Sequence, residues 1–161
     1  MKFHPELALA PLKEQKAYQS AALRQLLEYV AGHSPFYKRL FAAHKADVRK
    51  IKSTDDLRLL PVSGKSDMQE HNLDFLCTGR EEIKEYTATS GTMGKPVTIA
   101  LTENDLRRLA YNERQSFRTA DGTPVDLYQL MLTLDRQFMA GMAYYTGIRE
   151  LGASLVRTGP G

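Results

Sequence analysis

A run of small hydroxyl residues and glycines around one lysine is the part of the sequence best suited to chemistry. It reads YTATSGTMGKP over residues 86–96. Glycines leave their backbone N–H groups unshielded, hydroxyl groups donate hydrogen bonds, and the lysine adds a positive charge, so this inventory suits a polyphosphate. The candidate phosphate-binding residues are Thr89, Ser90, Gly91, Thr92, Met93, Gly94 and Lys95.

Two common phosphate-binding motifs do not describe this loop. The P-loop requires a glycine at the position of Thr89 and a hydroxyl residue after Lys95, where this chain has Pro96. No G-x-G-x-x-G opens a helix here. We therefore expect any phosphate to bind to a mobile hairpin loop without a helix behind it. The alternative is that the segment is only a turn between two strands.

The sequence around the loop predicts a mixed α/β fold. Short segments rich in β-branched and aromatic residues, IKEYTAT and PVTIAL, flank the loop and predict a strand pair. Thr102 is placed to cap a following helix. Further along, LYQLMLTL predicts a buried strand, FMAGMAYYTGIREL a helix and SLVRTG another strand, which together indicate a parallel βαβ unit.

The first 80 residues read as helical. A first amphipathic helix is predicted over residues 11–31, with Gly32 at its end and an apolar stripe made of Leu23, Leu26, Leu27 and Val30. Ser34-Pro35 is typical of the start of a second helix, and Ser53 with Asp56 offers another cap. We expect a helical N-terminal region over residues 1–80 and an α/β region over residues 81–161.

The order Thr-Ser-Gly-Thr-x-Gly-Lys-Pro resembles the phosphate-binding signature of the adenylate-forming superfamily of acyl-CoA synthetases, with Met93 as the departure. Residues 34–71 resemble the N-terminal region of phenylacetate-CoA ligase-like enzymes, and residues 146–161 are similar to the helix, strand and Gly-rich turn of that family. The chain is much shorter than those enzymes, so we expect an N-terminal portion holding the phosphate loop and the first βαβ units of the AMP-binding domain.

The resemblance implies an ATP-dependent carboxylate-CoA ligase. Such an enzyme joins an aryl or other carboxylic acid to AMP and then transfers the acyl group to coenzyme A, using ATP, Mg²⁺ and coenzyme A. The loop would hold the β- and γ-phosphates. The resemblance also implies that a Gly- and Phe-containing segment borders the acid pocket, which makes Phe138, Ala140 and Gly141 the candidates. The alternative is that Phe138, Met139, Met142 and Ala143 form the core face of a helix.

Amino-acid composition limits the classes of binding partner and the cellular compartment that we expect. A net charge of +3 and scattered basic residues do not indicate nucleic acid, and no apolar run reaches the roughly 18 residues that span a bilayer. A single cysteine, Cys77, fits a reducing compartment. The four histidines show no metal-ligand spacing, so we expect no metal site from this chain alone. We expect a cytoplasmic protein; the sequence does not fix its oligomeric state, although the resemblance implies that a homodimer is possible.

A second function remains open. The motifs that grip adenine, ribose and Mg²⁺ in the family are absent from this sequence. The chain could therefore be an inactive part of a ligase, or a non-catalytic module that binds a nucleotide or a partner. The acid substrate cannot be read from the sequence.

Overall fold

The computed structural model describes residues 3–89 and 95–160 of the 161-residue chain. The chain divides into two compact units, Met1–Gly79 and Arg80–Gly161. The first unit is made of helices, and the second unit combines helices with two small sheets. The predicted mixture of helix and strand is confirmed.

Two helices meet at Ser34 in the first unit. After a 3₁₀ helix, Pro5–Leu9, helix α1 covers Leu12–His33 and helix α2 covers Pro35–Ala43. The hydroxyl of Ser34 accepts a hydrogen bond from the Tyr37 N–H (3.3 Å) and donates one to the Asp74 carbonyl (3.0 Å). The predicted start of α2 is confirmed, because Ser34 caps its first turn. Gly32 does not end α1, which continues to His33.

Short turns of helix complete the first unit. Along the chain, two 3₁₀ helices, Val48–Lys50 and Thr54–Leu59, precede helix α3, Lys65–Glu70, and a third, Asn72–Phe75, follows it. The predicted pairing of Ser53 with Asp56 is present, because the Ser53 N–H (2.9 Å) and hydroxyl (3.2 Å) both donate to the Asp56 carboxylate, although the element that begins there is a 3₁₀ helix. The core of this unit is a cluster of three buried side chains, Leu27, Phe41 and Ile51.

The second unit begins with a hairpin. A 3₁₀ turn, Arg80–Glu82, leads into strand β1, Ile83–Ala88, which pairs antiparallel with strand β2, Thr98–Thr102. Helix α4, Glu103–Thr119, follows at once, and Thr102 caps it through a reciprocal pair of bonds with Asp105. The predicted strand pair and the predicted cap are both present.

A parallel βαβ unit follows. Strand β3, Leu127–Leu130, pairs parallel with strand β4, Ser154–Arg157, and helix α5, Met139–Leu151, connects them. The predicted topology is confirmed, but the prediction of a long buried strand over residues 127–134 is wrong. Strand β3 has only four residues, and Leu127 and Met131 are 70% and 60% exposed. The chain leaves the sheet after Leu130 to enter a tight turn.

Helix α5 packs closely against α4. Its buried residues are Gly141, Ala143, Gly147, Ile148 and Leu151. A Cβ on Gly147 would overlap the Glu113 side chain and would lie 3.2 Å from the backbone carbon of Glu113. The absence of a side chain at this position therefore sets the close approach of the two helices.

Candidate functional site

The candidate phosphate loop connects the two strands of the hairpin. Its base is closed by two hydrogen bonds, from the Thr89 N–H to the Val97 carbonyl and from the Val97 N–H to the Thr89 hydroxyl, both 3.0 Å long. Val97 is buried, and so is Thr87, two residues before Thr89. The ends of the loop are therefore joined to each other next to two buried residues, Thr87 and Val97.

Two of the seven predicted phosphate-binding residues fall in the described part of the chain. Thr89 uses its hydroxyl to close the loop base, and Lys95 is exposed on the returning arm. The other five, Ser90, Gly91, Thr92, Met93 and Gly94, lie outside the described residues. The phosphate-binding role of all seven remains a prediction.

A turn over residues 135–138 lies beside the loop base. The N–H of Ala88, the last residue of β1, donates a 3.0 Å hydrogen bond to the Gln137 carbonyl. The turn is closed by a 3.1 Å hydrogen bond from the Phe138 N–H to the Asp135 carbonyl. This arrangement places the segment before α5 next to the residue that precedes Thr89, and so brings the two predicted sites together.

The backbone of this turn is unusual. Arg136 and Gln137 both have φ 58°, in the left-handed region that residues other than glycine rarely adopt. Two consecutive residues of this kind cost free energy, which the surrounding contacts must offset. Sequence reasoning missed this turn, because neither residue is of a type that favours a left-handed conformation.

The three predicted pocket residues stand at the start of α5. Phe138 is the N-cap residue and is 41% exposed, Ala140 is half-buried and Gly141 is buried. A Cβ on Gly141 would overlap the Thr133 carbonyl oxygen, so this glycine lets the helix lie against the backbone that follows β3. The packing explains the glycine, and its role beside an acid remains a prediction.

The alternative interpretation of the start of α5 as a core face is wrong for its first two residues. Phe138 and Met139 are 41% and 37% exposed, whereas Ala143 is buried and Met142 is half-buried. The core face begins one turn later because the first residues of α5 follow directly on the turn over residues 135–138. The Phe138 ring is therefore accessible at this end of the helix.

This end of the second unit is where an open α/β sheet offers a ligand site. The turn follows the carboxyl end of β3, and the N–H groups of Thr158 and Gly159, just after β4, both donate to the Leu130 carbonyl. Ligands of such sheets bind beyond the carboxyl ends of the strands. The loop base, the turn and the start of α5 together form the candidate site.

The other potentially reactive side chains, a cysteine and two histidines, have contacts or burial that fit a structural role. Burial raises the pKa of the Cys77 thiol, which favours the unreactive protonated form. Ring nitrogens of His33 and His44 lie 2.7 and 3.0 Å from carbonyl oxygens of their own helices. Among residues 3–89 and 95–160, no three His, Cys, Asp or Glu side chains converge as a metal site would require.

An apolar groove of about 490 Å³ lies in the first unit. Leu23, Leu26, Leu27 and Val30 of α1 line one side, as the predicted apolar stripe would require, but Leu26 is exposed within the groove. Tyr37 and Ser63, whose hydroxyl oxygens are 3.3 Å apart, are among its polar lining residues. The stripe is therefore only partly used in the core of this unit.

Comparison of the sequence with known proteins gives relatives of one kind. The chain is 30% identical to phenylacetate-coenzyme A ligase of Thermus thermophilus over 157 residues, which are 97% of this chain and 35% of the relative. It is 28% identical to phenylacetate-coenzyme A ligase of Escherichia coli K12 over 148 residues, which are 91% of this chain and 34% of the relative. The chain thus spans about a third of the length of these curated relatives. No protein-family model matches it.

Comparison with solved structures also finds CoA ligases. A 2-hydroxyisobutyryl-CoA ligase bound to 2-HIB-AMP and CoA in the thioesterification state superposes with a TM-score of 0.85 at 25% identity, over 94% of this chain and 33% of that one. A postadenylation state of the same ligase gives a TM-score of 0.84 at 24% identity. The fold of the chain is that of the corresponding third of these ligases. No helix within the described residues is long and apolar enough to cross a membrane.

Proposed function

We propose that this chain, which is related to the phenylacetate-coenzyme A ligases along nearly its whole length, supplies the phosphate-binding loop and part of the acid pocket of an AMP-forming carboxylate-CoA ligase. The observation that carries the proposal is the position of the turn over residues 135–138, hydrogen-bonded to the end of β1 directly before the loop. Residues 1–80 would form the helical N-terminal region and residues 81–161 the start of the AMP-binding domain.

The proposed reaction has two steps. A carboxylate oxygen attacks the α-phosphorus of ATP, which forms the acyl-adenylate and releases pyrophosphate. The thiol of coenzyme A then attacks the acyl carbonyl, loses its proton and releases AMP. The substrates are a carboxylic acid, ATP and coenzyme A. Each step needs its leaving group to be held while negative charge builds on it.

The loop residues are suited to the first leaving group. Lys95, with hydroxyl and backbone donors from Thr89 to Gly94, would hold the β- and γ-phosphates and stabilise the departing pyrophosphate. These groups form no covalent bond with the substrate. The two hydrogen bonds between Thr89 and Val97 hold the ends of the loop together.

The acid would lie at the start of α5. The accessible Phe138 ring offers an apolar wall and the small side chain of Ala140 leaves space beside it, while Gly141 would shape the pocket by letting α5 lie against Thr133. Such a wall suits an aryl acid or another apolar carboxylic acid. The described residues provide no acidic cluster for Mg²⁺, so we assign no metal ligands here, and Mg²⁺ would enter with ATP.

The alternative function is that of a non-catalytic module, which binds a nucleotide or a protein partner without turnover. A cytoplasmic location and a homodimer are further parts of the proposal that these observations leave as predictions.

The test is acid-dependent release of pyrophosphate. The protein is incubated with ATP, Mg²⁺ and a panel of aryl and aliphatic acids, with and without coenzyme A, beside a chimera in which the chain replaces the matched segment of the Thermus thermophilus ligase. Release that requires one class of acid supports the ligase function and identifies that class. If the folded protein and the chimera bind ATP but release no pyrophosphate with any acid, the non-catalytic module is the better description.

A further inference from the structure

The apolar groove of the first unit has the size and the lining of a small-molecule site. Its volume of about 490 Å³ is that of a ligand pocket, and such pockets are mostly apolar with a few placed polar groups. It is lined by residues of the first unit only, so it uses none of the residues assigned to the ligase reaction. The phosphate loop and the acid pocket therefore do not account for it.

The walls of the groove include apolar side chains that the fold leaves in water. Leu26 of α1 and Val62 are 55% and 89% exposed, whereas two other lining residues, Leu27 and Phe41, belong to the buried core cluster. Exposed apolar surface beside a concavity gains free energy when a ligand removes it from water. The ligand that this groove favours is therefore largely apolar.

The lining also indicates that the ligand carries no charge. Among the described residues, those that line the groove are apolar except for Tyr37 and Ser63, and none of them is charged. A charged group held against this lining would lose hydration without gaining an ion pair, which is costly. An uncharged molecule avoids that cost.

Tyr37 and Ser63 supply a hydrogen-bond donor to the groove. Their hydroxyl oxygens lie 3.3 Å apart, and either group can donate the bond between them. Two hydroxyl groups carry two protons, and this bond uses one, so one proton remains for an acceptor atom of a ligand. The Tyr37 ring is held by edge contacts with Phe36 and Phe75, at centroid distances of 5.5 and 5.6 Å. The donor is therefore positioned before any ligand binds.

We propose that this groove is a binding site for a small, uncharged, apolar molecule with one acceptor oxygen, such as an aryl ketone or ester. The apolar body covers Leu26 and Val62, and the oxygen accepts the proton that the hydroxyl pair of Tyr37 and Ser63 leaves free. ATP binding by the loop is not required. The first unit then has a ligand site of its own.

Fluorescence titration of the whole chain with prodan, an uncharged naphthyl ketone, tests the proposal. We expect saturable binding with emission shifted to shorter wavelength, and NMR shifts of the Leu26 and Val62 methyl groups. Dimethylaminonaphthalene, which lacks the ketone, should bind about fivefold more weakly because it cannot accept the hydrogen bond. Naphthoate, which is charged, should bind more weakly than prodan as well.

Two variants separate the hydroxyl pair from the apolar wall. Tyr37→Phe combined with Ser63→Ala should abolish the preference for the ketone and leave dimethylaminonaphthalene binding unchanged. Both substitutions are needed, because either hydroxyl alone still carries a proton. Leu26→Gln should weaken binding of both molecules about tenfold. Leu12→Gln is the matched control, because Leu12 lies on the same helix, is 65% exposed and does not line the groove.

Several results would overturn the proposal. Absence of saturable prodan binding, or unchanged affinity in Leu26→Gln, would reject the groove as the site. A ketone preference that survives in the double variant would reject the role of the hydroxyl pair, and tighter binding of naphthoate would reject an uncharged ligand. If prodan does not bind and ultracentrifugation shows a dimer that Leu26→Gln dissociates, the groove is instead an interface between copies of this chain. None of these results depends on ATP binding, so the proposed function is tested separately.

Discussion

Replacing Gly147 by alanine tests the packing of α4 on α5 that positions the candidate site. An added Cβ would overlap the Glu113 side chain and lie 3.2 and 3.3 Å from backbone atoms of Glu113 and Arg114. Because two of these neighbours are backbone atoms, one helix must move away from the other. Overpacking of this kind costs about 3 kcal/mol at the upper end of its usual range.

The same substitution also makes a stabilising contribution, which must be subtracted from the cost of overpacking. Alanine is favoured over glycine in a helix interior by about 1 kcal/mol. The net expectation is that Gly147→Ala lowers the free energy of unfolding of the second unit by about 2 kcal/mol. For a unit of this size, that corresponds to a melting temperature lower by roughly 10 °C.

The matched control is Gly32→Ala in α1, where an added Cβ meets nothing within 4 Å. This variant keeps only the stabilising contribution of alanine to the helix and should be more stable than wild type by up to about 1 kcal/mol. Thermal unfolding followed by circular dichroism measures both variants, and amide hydrogen exchange of α4 and α5 locates the effect. A Gly147→Ala protein as stable as wild type, with unchanged exchange in both helices, would refute the close-packing argument.

Three further predictions concern single residues. Lys95→Ala should slow acyl-adenylate formation by the chimera about a hundredfold and thioester formation far less, as separate half-reaction rates would show, and equal slowing of both steps would refute the assigned role. Ser34→Ala removes a fully buried cap and should destabilise the first unit by about 1–2 kcal/mol in denaturant titration; an unchanged midpoint would count against it. Hydrogen bonds from the backbone N–H groups of Lys52 and Ser53 lower the pKa of Asp56 below its usual 3.8, so its stabilising effect is present above that pH and is lost as the pH falls below it. Asp56→Asn should therefore reduce the acid sensitivity of unfolding below about pH 4, and a pH profile identical to wild type would contradict this.

Local signals in the sequence predicted much of the fold. Ser34-Pro35 and Thr102 begin helices where their side chains can bond to free backbone N–H groups, and that chemistry depends only on near neighbours in the chain. The alternation of strand, helix and strand predicted the parallel pair of β3 and β4, because parallel neighbours require a crossover connection, which is usually a helix.

The features that sequence reasoning missed depend on distant parts of the chain. The apolar run after Leu127 reads as a buried strand, yet β3 ends at Leu130, and the chain then continues to the turn over residues 135–138, which is hydrogen-bonded to β1. The left-handed residues Arg136 and Gln137 carry no local signal, since glycine or asparagine would be expected at such positions. The close contact of Gly147 with α4 is likewise visible only after the two helices have packed.

The most direct measurement is acid-dependent exchange of labelled pyrophosphate into ATP, catalysed by the chimera without coenzyme A. This exchange requires reversible attack of the acid on ATP and release of pyrophosphate from the loop. We expect exchange that depends on a carboxylic acid and is lost in Lys95→Ala. Absence of exchange with every acid, from a folded chimera that binds ATP, would contradict the proposal that this chain holds the departing pyrophosphate.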